Sequence, residues 1–123
     1  MSDPGTAASA YAQFPITTES EFPEWGIERS VGLVFGVMVF SSGTFSAAKL
    51  TAGMTTKAGT GELAQLSRIR EEARSQSVGR LIENARLLGA NGVVGFRFES
   101  SSVGTTVAEL VAYGTGVVLG PKR

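Results

Sequence analysis

The sequence contains no cysteine and no histidine, and only one tryptophan and four prolines in 123 residues. Without a thiol or an imidazole there is no cysteine nucleophile, no imidazole general base, no Ser-His-Asp arrangement and no zinc site of the usual Cys/His kind. Excess charge of either sign is missing too. Eleven basic residues cancel eleven acidic ones, so no net field draws the chain to nucleic acid or to an anionic membrane. A long hydrophobic run is also absent: the most apolar window, residues 31–40 (VGLVFGVMVF), is ten residues long, about half of what crosses a bilayer as a helix. The first twelve residues carry neither the positive charge nor the apolar stretch of a secretory signal. Absence of cysteine accords with a reducing compartment, and the expected location is cytoplasmic.

What is present is enough for one core. Leu, Ile, Val and Phe make up about 26% of the chain, above the roughly 20% below which disorder is the better expectation. The length fits one domain. Residues 1–15 (MSDPGTAASAYAQFP) are rich in small residues and Pro, which reads as a flexible N-terminal arm. Residues 16–123 form the single domain.

Within residues 31–40 the period is two. Val31, Leu33, Phe35, Val37 and Val39 share one face, and Gly32, Val34, Gly36, Met38 and Phe40 share the other. Neither face is polar, as expected of a strand buried on both sides. Residues 41–61, rich in Thr, Ser and Gly, read as a long irregular excursion. A helix of seven or eight turns follows, from near Gly61 to Leu88, marked by Leu66, Ile69, Ala73, Ser77, Leu81, Ala85 and Leu88 at steps of three and four. Gly89 ends it, and Asn91-Gly92 turns the chain into the next strand. The opposite helix face alternates charge, with Arg68 four residues before Glu72, Glu71 before Arg74 and Glu83 before Arg86.

Two strands remain, residues 93–99 and 107–119, joined by the polar stretch 100–106 (SSSVGTT). A fold about Val103 sets Arg97 opposite Glu109, Phe96 opposite Leu110 and Phe98 opposite Ala108. The order is therefore β-α-β-β, an α+β subunit with one long helix on a small antiparallel or mixed sheet. One helix covers one sheet face, so the second needs other cover. Burial of Val34, Met38 and Phe40 is worth roughly 5–6 kcal/mol, a large share of a domain's stability. The expectation is a homo-oligomer whose interface holds Val34, Gly36, Met38, Phe40, Gly114 and Gly116. The alternative is that residues 16–30 or 41–60 fold back over this face.

Chemistry-bearing patterns are sparse. Residues 53–60 (GMTTKAGT) lack the Gly-Lys-Ser/Thr order of a phosphate-binding loop, and Gly114-Thr115-Gly116 has no helix after it. No cofactor is expected. Arg74, Arg97 and Glu109 form the one candidate polar site: Arg74 beside the apolar helix stripe, Arg97 with Glu109 as a cross-strand pair. The helix's five arginines are interleaved with four glutamates, which argues against nucleic acid.

Several segments in order resemble the YbjQ-like family: Ile16-Thr17-Thr18, Gly32-Leu33-Val34-Phe35-Gly36, the helix around Ala73-Arg74, Ala85-Arg86-Leu87-Leu88-Gly89-Ala90-Asn91-Gly92-Val93-Val94-Gly95 and Tyr113-Gly114-Thr115-Gly116-Val117. The resemblance spans about residues 16–119. It implies a dodecin-like β-α-β-β subunit assembled as a ring, a pentamer, and the family is catalogued as heavy-metal-binding. The chain departs from that label, since thiolate and imidazole are absent and only Met1, Met38 and Met54 offer a soft donor. The function expected is that of a non-enzymatic ring-forming domain, a scaffold or small-ligand binder with itself as partner. Heavy-metal binding or sensing is the alternative.

Overall fold

In the computed structural model, residues 14–41, 57–103 and 107–122 are described. Strand β1 (Trp25–Ser41) is followed by helix α1 (Lys57–Leu87), then by strands β2 (Gly92–Val103) and β3 (Val107–Pro121). The three strands form one antiparallel sheet in the order β1-β3-β2, with α1 packed on one face, so the α+β reading holds. Of the excursion expected over residues 41–61, residues 42–56 lie outside the described residues, and α1 begins at Lys57.

The helix buries the stripe that its spacing announces. Ala73, Ser77, Leu81 and Ala85 are buried, joined by Val78 and Ile82. Val78, Leu81, Ile82 and Ala85 meet Phe14, Val34, Ala90, Val93, Phe96 and Ala112 in one cluster. Ser77 is fully buried and donates its hydroxyl to the Arg74 carbonyl at 2.9 Å, so its burial leaves no orphan donor. Leu88 departs from the stripe and is exposed, because the helix already ends at Leu87 and Gly89 turns the chain with φ of 90°.

The hairpin register differs from expectation. Val103 lies opposite Val107, Arg97 opposite Tyr113 and Phe98 opposite Ala112. Arg97 and Glu109 are therefore not partners; Glu109 faces Ser101 and Val39. The shift is an even number of residues, so each side chain keeps its expected face while its partner changes. Charge matching could not detect such a slip. A bulge between Val94 and Arg97 then offsets the start of β2 by one residue.

The last two residues of the arm expected over residues 1–15 pack against the domain. Residues 1–13 lie outside the described residues, but Phe14 is 2% exposed in the main cluster, under the guanidinium of Arg86 at 5.4 Å. The Pro15 carbonyl accepts from Val93 N–H at 3.0 Å, and Thr17 N–H donates to the Val93 carbonyl at 3.0 Å. The Thr17 and Glu19 carbonyls receive Phe96 and Gly95 N–H, giving the outer flank of β2 a short parallel partner.

Candidate functional site

Register decides which β1 face α1 takes. Gly32 is level with Gly116, Val34 with Gly114, Gly36 with Ala112, Met38 with Leu110 and Phe40 with Ala108. Small residues at these paired positions make a flat bed, and the helix lies in it. A Cβ added at Gly36 would run into the Ser77 carbonyl oxygen and the Leu81 nitrogen, so helix backbone rests directly on strand backbone there. Val34 is 2% exposed. Met38 and Phe40 are half-buried beside Ile69 and Ala73 of α1 in a shallow depression of about 340 Å³. Gly114 abuts Val93 and Phe96, and Gly116 abuts Val31, Val34 and Ala90.

All six residues expected at a subunit interface therefore lie on the face roofed by the chain's own helix. The two β1 faces are exchanged relative to expectation. Both are apolar, so alternation alone held no information on which one the helix covers. The signal that separates them is glycine, because Gly32, Gly36, Gly114 and Gly116 all fall on one face.

The face opposite α1, which no described helix or strand roofs, carries Leu33, Phe35, Val37 and Val39 on β1, level with Thr115, Tyr113, Val111 and Glu109 on β3. Arg97, Glu99 and Ser101 continue it on β2. One end is closed, where Phe22 packs with Val94, Val117 and Leu119 and meets the Trp25 ring edge-to-face at 5.6 Å. Beyond that end Leu33 is 64% exposed, Phe35 48% and Val39 56%. Single exposed apolar residues are ordinary, but a contiguous row of them on a sheet marks a contact surface.

The polar candidates do not converge. Arg97 donates through Nη1 to the Thr18 carbonyl at 3.0 Å and to the Phe96 carbonyl at 2.7 Å, fastening residues 16–19 to β2. Arg74 lies on the helix side, 6.0 Å from the Phe98 ring centroid, and Arg70 sits 5.9 Å from that of Phe40. Glu109 belongs to the open face. Arg80 and Asn84, for which the sequence offered no role, carry side-chain hydrogen bonds from α1 to β1: Arg80 Nη1 donates to the Val37 carbonyl and Asn84 Nδ2 to the Phe35 carbonyl, each at 2.8 Å. Two polar residues one turn apart, flanking the buried stripe, are the only sequence trace of that role.

Among the described residues no three His, Cys, Asp or Glu side chains come together as metal ligands. Thiolate and imidazole are missing from the chain, and Met38 is the one described thioether. Nor, among those residues, is any helix long and apolar enough to cross a membrane.

These features define a two-layer domain, one helix over a three-stranded antiparallel sheet whose far face, among the described residues, exposes an apolar row along β1. The chain belongs to the YbjQ-like family: the family model described as "Putative heavy-metal-binding" matches residues 14–120. A UPF0145 protein of Bradyrhizobium sp. strain ORS 278 is 40% identical over 95 residues, covering 77% of this chain and 83% of that one. A UPF0145 protein of Sulfurisphaera tokodaii is 38% identical over 104 residues, covering 85% and 89%. A crystal structure of a DUF74-family protein of unknown function from Pediococcus pentosaceus superposes with a TM-score of 0.59 at 14% identity, over 87% of this chain and 98% of that one. That likeness concerns the fold.

Proposed function

We propose that the protein is a non-enzymatic assembly module of the cytoplasm whose copies cover one another's open sheet face, acting as a scaffold or as a small-ligand binder at the contacts. The observation that carries this reading is the row Leu33, Phe35 and Val39, each about half or more exposed on one strand face. Covering these three side chains is worth about 3–5 kcal/mol per copy, a large share of a domain's stability. The net charge of zero sets no long-range repulsion against self-association.

A second apolar patch favours a ring over a back-to-back pair. Leu87 is 80% exposed and Leu88 53%, at the end of α1 in the other layer of the molecule. Contact between two unlike surfaces is head-to-tail, and such contacts close into rings when the rotation allows. Five copies is the number that the family resemblance implies.

Size-exclusion chromatography with light scattering tests the reading. The native chain should run as a multiple of 12.8 kDa, and Phe35→Glu, which sets a charge in the middle of the open face, should shift it toward the single subunit. A native chain that stays at one subunit at every concentration sinks the proposal.

A further inference from the structure

The free flank of β1 is closed by side chains. In the order β1-β3-β2, β1 has, among the described residues, a neighbour strand on one side alone. Alternate residues of an antiparallel edge strand point N–H and C=O away from the sheet, which makes a template for another strand. Phe35 and Val37 are such residues, and their carbonyls are the two that Asn84 and Arg80 occupy.

The match follows from element geometry. Residues 80 and 84 are four apart on the helix, about 6 Å along its axis. Residues 35 and 37 are two apart on the strand, between 6 and 7 Å by the same kind of reckoning. Gly36, midway between the two acceptors, is where helix and strand backbones touch. This contact brings α1 close enough for both side chains to reach over the edge.

β1 has particular need of such cover. Residues 31–40 are uncharged and without proline, the composition that pairs edge-to-edge and aggregates. Edges are commonly blunted by Lys, Pro or a bulge, but the irregularities of β1 lie between Ile27 and Gly32, and its register runs unbroken from Gly32 to Ser41. Within that stretch, Arg80 and Asn84 of α1 cover the Val37 and Phe35 carbonyls. On the opposite flank of the sheet, Pro15, Thr17 and Glu19 pair with the start of β2 by main-chain bonds.

We propose that Arg80 and Asn84 are an edge guard, denying β1 to an added strand and leaving sheet-face contact as the route of self-association. The guard operates in a lone subunit as well as in an assembly, so it stands apart from the function proposed above.

The test compares Arg80→Met, Asn84→Ala and their double variant with the native chain. Glu83→Gln serves as control, since Glu83 lines the same groove without bonding the edge. Circular dichroism and melting establish that each variant is folded at the start, and thioflavin fluorescence with light scattering then follows strand addition. The double variant should give thioflavin-positive, sedimenting material at least about tenfold faster than the native chain and the control, with the single variants between. A folded double variant that aggregates at the native rate overturns the proposal. Where the double variant does not fold, the single variants decide by the same comparison, and failure of both single variants to fold also overturns it, because the pair would then hold the fold together and guard nothing.

Discussion

Gly36 has the least side chain of any residue and one of the most demanding positions. Its missing Cβ is the space taken by the Ser77 carbonyl and the Leu81 nitrogen, and these are backbone atoms that cannot turn aside. Gly36→Ala must lift the helix from the sheet or bend the strand, and overpacking of this kind costs about 3 kcal/mol. Gly79 is the contrast. It lies within α1 and a Cβ there meets nothing within 4 Å, so Gly79→Ala should stabilise by about 0.5–1 kcal/mol through helix propensity alone. Urea unfolding of the two variants checks both signs, and equal effects would contradict the packing described. The same glycines explain what the sequence left undecided at this scale. Strand β1 offered two apolar faces, and hydrophobicity was silent on which one the helix takes; the absence of side chains at Gly32, Gly36, Gly114 and Gly116 carried that information.

Elements were more legible than their partners. The 3.6-residue stripe located α1 to within a few residues of its ends, and alternation placed β1, β2 and β3, because burial on one face imposes a period that composition reveals. Register did not follow. Arg97 opposite Glu109 satisfied charge and face equally well, yet the chain sets Arg97 against Tyr113 and turns its guanidinium to the Thr18 and Phe96 carbonyls. A pairing rule that conserves faces cannot separate registers an even number of residues apart. The reach of the N-terminal segment was hidden for a different reason, since Phe14 is one of two aromatic residues in a run dominated by small ones. It is buried among Val78, Leu81 and Ile82 of the core cluster, so Phe14→Ala should cost about 3–5 kcal/mol by cavity formation. Thermal unfolding measures this, and a loss below about 1 kcal/mol would place Phe14 outside the cooperative fold.

The whole molecule has two properties that no single element has, a donor set without thiolate or imidazole and a sheet that the described elements cover on one side. The first bears on the metal named in the family's description. With neither thiolate nor imidazole in the chain, copper, zinc and nickel meet only carboxylates, carbonyls and thioethers, and calorimetry at micromolar metal should give no saturable heat. A stoichiometric isotherm would call for carboxylates brought together between copies. The second property ties stability to concentration. If a neighbour covers Leu33, Phe35 and Val39, unfolding releases subunits, and mass action then makes the melting temperature depend on how much protein is present. For a five-copy assembly each tenfold rise in concentration stabilises each chain by about 1.1 kcal/mol, which for a chain of this length raises the midpoint by about 3–5 °C. Phe35→Glu should abolish that dependence while leaving the helix-side core intact, because Phe35 points away from α1. A native midpoint that does not move between micromolar and millimolar protein would mean that the open face is stable in water as it stands.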